Sequence, residues 1–313
     1  MSIIRKISSH AEENFIVAAL VLLIAFFGMA TENFFSVVTL TTILNQLPAL
    51  TAVTVGMTLV LIVSGIDLSV GSIVGFSATV VGVAIVSLNL AIPVACALGI
   101  LSGLAAGALN GLLVSRFALP SFIVTLGMLE MARGMGYLIT DSRTVYIGSA
   151  IQKIASPLPG IGLSGALLFS IVLVAAGQFV LTRTVFGRHL VAIGTNEKAA
   201  RMAGINSRNY TFAVLALSGA LAGIGGIFNA AYLGSADPNA GFGLELLAIA
   251  AAVIGGTSLM GGRGSVVGAF AGVLIIAVLQ NGLAQMGATE PTKRIITGAV
   301  IVIAVLIDRW RAR

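Results

Sequence analysis

The chain has 313 residues, 58% of them hydrophobic and 9% charged, with mean hydropathy +1.09 and a formal charge of +6. Soluble domains carry about 25% charged residues, so an aqueous globule is excluded and the bilayer must act as solvent. The basic residues are not interleaved with aromatics on one face, which excludes a nucleic-acid surface. The lone Cys96 excludes a disulfide within the chain, and His10 and His189 lie apart from any clustered carboxylates. Neither a metal centre nor a nucleophile–base set can be built from these parts.

Apolar runs long enough for a membrane occur near 14–31, 47–64, 68–88, 91–114, 118–140, 161–181, 210–232, 244–260, 264–283 and 290–307. They predict an all-α, polytopic bundle of about ten transmembrane helices in one domain, residues 1–313. Pro48, Pro93, Pro120, Pro238 and Pro291 fall near predicted helix starts, where a missing N–H costs least. The charges orient the bundle. With the N-terminus inside, inner segments hold Arg5, Lys6, Arg116, Arg183, Arg188, Lys198, Arg201, Arg208, Arg263, Arg309, Arg311 and Arg313. Outer segments hold only Arg143, Lys153, Lys293 and Arg294. The positive-inside rule then places both termini in the cytoplasm. Arg5 and Lys6 before an apolar run ending Gly28-Met29-Ala30 also fit a cleavable secretory signal, which leaves the other loops oriented in the same way.

Four features interrupt the apolar pattern. The first is Ser64-Gly65-Ile66-Asp67-Leu68-Ser69 with Gly71-Ser72, where glycines break the helix and Asp67 is costly at membrane depth. Asp67 reads either as a functional group at membrane depth or as a cap of the next helix. The second is Glu130 with Arg133, an i,i+3 pair predicted to be a structural ion pair. The third is the cytoplasmic loop 182–209, the most charged internal loop. Within it Asn196 is a helix N-cap, Glu197 complements the dipole, and Gly204 with Ile205 ends the helix. Ala199, Ala200 and Ala203 give this short helix a slim face suited to a partner's groove, the alternative being an ordinary solvated connector. The fourth is Gly255-Gly256-Thr257-Ser258-Leu259 with Gly264-Ser265, which echoes the first. Gly255 stands for Ser64 and Gly264 for Gly71, so the later copy carries a two-residue insertion, as in an internal parallel repeat.

Taken with Gly56-Met57-Thr58-Leu59-Val60, Pro120-Ser121-Phe122-Ile123-Val124-Thr125-Leu126-Gly127 and Gly255 to Ser265, these segments resemble the ribose/xylose/arabinose/galactoside-type sugar permeases of ABC importers. The similarity runs over nearly the whole chain in the same order, and Arg133-Gly134 fits it while Glu130 does not. The resemblance implies a multi-pass protein of the bacterial inner membrane that carries a monosaccharide. It implies three partners: an ATP-binding subunit, a periplasmic sugar-binding protein, and a second permease copy or paralogue. No cofactor, metal or nucleic acid is implied, and no enzymatic activity. The chain has no G-x-x-x-x-G-K-[ST] to cradle ATP phosphates, so hydrolysis is expected on the partner.

On this resemblance, Arg188, Asn196, Glu197, Ala199, Ala200, Arg201, Gly204 and Ile205 couple the chain to the ATPase. Ser64, Gly65, Asp67, Ser69, Gly71, Ser72, Phe122, Thr125, Gly255, Gly256, Thr257 and Ser258 line a path or gate. The same machine carrying an autoinducer sugar or a nucleoside, and an ion-coupled carrier working alone, are the alternative readings. For the carrier only Asp67, Glu130 and Glu245 are candidate ion-coupling groups.

Overall fold

The computed structural model describes residues 2–158, 160 and 162–311, with side chains described over 16–306 of these. The side chains of Arg5, Lys6, His10, Arg309 and Arg311, and all of Arg313, lie outside the described residues. In order, the helices are α1 (Ser2–Ala30), α2 (Val37–Ile62), α3 (Val70–Val86), α4 (Ile92–Phe117), α5 (Ser121–Ile139) and α6 (Ser149–Gln152). There follow α7 (Gly165–Arg183), α8 (Val185–Thr195), α9 (Glu197–Met202), α10 (Ser207–Leu233), α11 (Leu244–Ile254), α12 (Val266–Gln285) and α13 (Glu290–Arg311). Two-residue strands β1 (Val145–Tyr146) and β2 (Ser235–Ala236) pair antiparallel, Val145 opposite Ala236. The protein is a helical membrane protein.

Every predicted apolar run falls on a helix. Among the described residues six helices, α2, α4, α5, α7, α10 and α12, are long and apolar enough to cross a membrane. At 1.5 Å rise per residue, α3 reaches only about 26 Å and α11 about 16 Å, against about 30 Å of hydrocarbon. α11 is shorter than its predicted run because the chain leaves the helix at Gly255 and does not re-enter one until Val266. α2 is longer than predicted: it starts at Val37, where the Ser36 hydroxyl accepts a hydrogen bond from Thr39 N at 3.2 Å. Pro48 therefore lies inside a helix rather than at its start, in a stretch buried by its neighbours.

Buried α2 and α10 form the centre, and α12 packs on α2. α4 meets α10 backbone to backbone. A Cβ on Gly107 would strike the Leu215 carbonyl and Gly219, and one on Gly103 would strike Gly219 and Gly223. In lipid, where apolar burial gives little drive between helices, such small-residue contacts supply the packing. Gly219 and Gly223 are the residues of α10 that permit this approach.

The two glycine-rich breaks share one turn, displaced from the register read in the sequence. At the end of α2, Ser64 N donates to Leu61 O (2.8 Å) and Gly65 N to Val60 O (3.0 Å). At the end of α11, Gly256 N donates to Val253 O and Thr257 N to Ala252 O, both 2.9 Å. Both are Schellman caps, with Ser64 (φ 60°) and Gly256 (φ 88°) in the left-handed position. Ser64 thus corresponds to Gly256, not Gly255. The second halves diverge further, since Ser265 is the N-cap of α12 while Ser72 lies inside α3. α11 and α12 also pack along each other, whereas α2 and α3 share almost no contact. The likeness is one of helix endings rather than of whole units.

Candidate functional site

The loop 182–209 folds as α8 and α9. Thr184 caps α8, its hydroxyl accepting from Gly187 N at 3.3 Å, and Asn196 Oδ1 caps α9 by accepting from Ala199 N at 3.0 Å. Glu197 accepts from Arg201 Nη2 (2.7 Å) and from the Ser207 hydroxyl (2.8 Å), tying α9 to the start of α10. The Ser207 bond, then the Arg201 bond and charge, hold the Glu197 carboxyl below its ordinary range. Gly204 (φ 85°) ends α9, with Ile205 N donating to Ala200 O at 3.0 Å. Ala199 and Ala203 are exposed, but Ala200 is buried at 5%. The short helix turns Ala200 inward, against the body of the protein. The outward surface is therefore Ala199, Ala203 and Met202 (90% exposed), with Arg188 exposed on α8.

The end of α8 is wedged between the two breaks. A Cβ on Gly194 would collide with Ile62 O and Gly262 N. Gly262 N donates to Ile62 O at 2.9 Å, and the Ser64 hydroxyl donates to Met260 O at 2.9 Å. Ser258 N donates to Arg263 O, closing the second loop on itself. Beside this junction is a cleft of about 460 Å³ whose lining includes Ser64, Gly65, Ser121, Asn196, Glu197 and Arg208.

Beyond Gly65 the chain enters the interior, and its freed backbone groups find partners. Ile66 N donates to the Ser121 hydroxyl (3.0 Å) and Leu68 N to the Thr125 hydroxyl (3.1 Å), so the first turn of α5 satisfies the break. Asp67 is fully buried. Its Oδ1 accepts from Ser69 N (3.1 Å) and the Ser69 hydroxyl (2.6 Å), and its Oδ2 from the Ser218 hydroxyl (2.9 Å). Asn110 Nδ2 donates to the Ser69 hydroxyl at 2.9 Å. The carboxylate thus ties the start of α3 to α4 and α10 through hydroxyls.

The remaining predicted residues are dispersed. Gly255 lies against Gly268 of α12, and Thr257 is buried with its hydroxyl unpartnered among the described residues. Phe122 is exposed and joins neither the junction nor the Asp67 knot. Gly71 lies against Glu245 and Gly241. The expected Glu130–Arg133 ion pair does not form among the described residues. Glu130 is exposed, and Arg133 instead donates to the Ser72 hydroxyl at 3.1 Å and lies 4.9 Å over the Phe242 ring. Three residues apart on a helix allows a pair but does not require one, and the arginine has a nearer partner on α3. Sequence reasoning misses Asn110, Ser218 and Gln178. Gln178 Oε1 accepts from Val266 N (2.8 Å) and Val267 N (3.2 Å), satisfying the start of α12. The signal for all three is slight, an isolated polar residue within an apolar run.

The structure is a helical membrane bundle in which two broken helices meet a polar loop. The chain belongs to the family described as branched-chain amino acid transport system / permease component, which matches residues 39–305. It is 40% identical over 299 residues to the ribose import permease protein RbsC of Escherichia coli (strain K12), covering 93% of this chain and 91% of that one. It is 37% identical to the fructose import permease protein FrcC of Rhizobium meliloti, over 92% of this chain and 82% of that one. To the autoinducer 2 import system permease protein LsrC of Photorhabdus luminescens it is 31% identical, over 93% and 89%.

Proposed function

We propose that this chain forms the translocation path for a ribose-type monosaccharide in an ATP-driven importer of the bacterial inner membrane. ATP is hydrolysed on a separate ATP-binding subunit that docks on loop 182–209, a periplasmic binding protein delivers the sugar, and a second permease copy or paralogue completes the path. Both termini face the cytoplasm. The chain passes the bilayer on about ten helices, of which α3 and α11 supply partial crossings completed by the broken segments that flank them. The observation that carries this reading is the contact of Gly194 with Ile62 and Gly262. It supports the reading because it joins loop 182–209 to the ends of both broken helices, so that displacement of α8–α9 moves Ser64, Gly65 and Ser258 together. Such a rigid lever between a docking element and a bistable gate is how a remote binding event becomes a conformational change.

The residues near the gate are chemically suited to a neutral polyol. The Ser64 and Ser121 hydroxyls border the cleft and can exchange partners without moving charge. Asp67 acts from behind, fixing the backbone of the break. The likeness to an autoinducer 2 permease supports a second cargo of related polyhydroxy chemistry. The deciding test is uptake by proteoliposomes that hold the chain with its co-purified ATPase and binding protein. Labelled D-ribose accumulating only with ATP, and displaced by excess unlabelled ribose, is the expected result. Uptake of labelled autoinducer 2 with ATP, and none of labelled ribose, would reassign the cargo. Uptake driven by a proton gradient without ATP would overturn the ABC reading.

A further inference from the structure

The starts of the two short helices meet inside the protein, away from the junction at Ser64. Gly71, in the first turn of α3, lies against the Glu245 carboxylate of α11 and the Gly241 carbonyl, leaving no room for a side chain. Glu245 is 9% exposed, and its Oε2 is buried without a hydrogen-bond partner among the described residues. Nearby, two guanidiniums share one ring: Arg133 of α5 lies 4.9 Å and Arg294 of α13 lies 5.3 Å from the Phe242 centroid. Phe242 remains 57% exposed, and among the described residues no carboxylate reaches ion-pair distance of either arginine. Helices α3, α5, α11 and α13 and the turn before α11 thus converge with a carboxylate whose Oε2 lacks a donor among the described residues, two guanidiniums with N–H groups to spare, and an aromatic ring partly open.

We propose that Phe242, Arg133, Arg294 and Glu245, with Ser72 positioning Arg133, form a transit site for one neutral sugar; this rests on the sugar-import reading above. A sugar meets each unfilled requirement. Its C–H face stacks on the ring, its hydroxyl oxygens accept from the guanidiniums, and a hydroxyl donates to Glu245 Oε2. A simple anion would satisfy the arginines but would meet the Glu245 charge. The ring shared by two cations also keeps the site loose, because no tight ion pair among the described residues fills it, and a transit site must release its cargo. Phe242 and Glu245 are three residues apart at the start of α11, but Arg133 and Arg294 come from α5 and α13, so sequence spacing carries little sign of the whole cluster.

The test is initial-rate uptake of labelled D-ribose, D-fructose and L-leucine by proteoliposomes of the complete importer, for the native chain, Phe242→Leu and Glu245→Gln. Each substitution is expected to slow ribose uptake about tenfold and to change the ribose-to-fructose rate ratio about threefold or more, because lost hydroxyl contacts weigh unequally on two sugars. Phe242 is exposed, so its leucine variant is expected to keep the native melting temperature, which separates loss of contact from loss of fold. Unchanged rates, or a fall by one common factor for both sugars, would overturn the site while leaving sugar import standing. A native importer that moves leucine and neither sugar would overturn the import reading and the site together.

Discussion

Asp67 shows how one buried charge is tolerated where it is costly. Three hydroxyl or amide hydrogens point at its two oxygens, and the donors are serine groups rather than a cation. Asp67→Ala strands the Ser69 and Ser218 donors, each costing about 1–3 kcal/mol when buried and unpaired, and a melting scan in detergent should show a large loss. Asp67→Asn keeps an acceptor for Ser69 and lets the Ser218 hydroxyl rotate to accept, so near-native stability and transport are expected. Loss of transport by a well-folded Asp67→Asn variant would instead make the charge itself functional. Gly194→Ala should cost about 1–3 kcal/mol, the usual range for overpacking, because the obstruction is backbone on both sides. Glu197 adds a pH dependence. Its folded pKa is depressed, so its contribution is present above the unfolded value of about 4.3 and is lost as pH falls through the folded one. The effect is small because the pair is half exposed. Glu197→Gln should flatten the acid side of the melting-temperature profile between about pH 3 and 5.

Among the elements, α9 decides how the docking surface is probed. Tryptophan in place of Ala199 or Ala203 stands on the outer surface, where it should block a partner's groove and leave insertion intact. ATP hydrolysis by the assembled importer should continue or fall while sugar uptake drops about tenfold or more, a bulky residue in a packed interface costing upwards of about 1.4 kcal/mol. Tryptophan in place of Ala200 should unfold the cap instead, visible as lost thermal stability before any effect on coupling. Normal uptake by the Ala199 and Ala203 variants would remove loop 182–209 from the docking role. The α3 and α11 helices carry a second lesson. Each begins in the interior, so the backbone groups around their starts depend on Ser121, Thr125, Asp67 and neighbouring carbonyls rather than on water.

For the molecule as a whole, the orientation can be read directly. In a Cys96→Ser background, Lys153→Cys should react with a membrane-impermeant maleimide on intact spheroplasts, while Lys198→Cys should react only after permeabilisation. The reverse pattern would invert the bundle and with it the positive-inside argument. With loop 182–209 inside, α8 and both helix breaks lie on the ATPase side.

Membrane class, helix positions and the caps of α9 were legible in the sequence because they follow from composition, apolar run length and short-range hydrogen bonding. The four-motif resemblance made the family legible as well. Side-chain partners were not. Whether Arg133 met Glu130 or Ser72, whether Ala200 faced in or out, and how Gly255–Ser265 aligned with Ser64–Ser72 all depended on neighbours beyond the reach of local spacing. An apolar run constrains where a helix sits but not its rotation about its own axis. That rotation was decided by glycine contacts such as Gly107 on Gly219 and Gly194 on Ile62, and with it which polar groups found each other and which, like Glu245 Oε2, found no partner among the described residues.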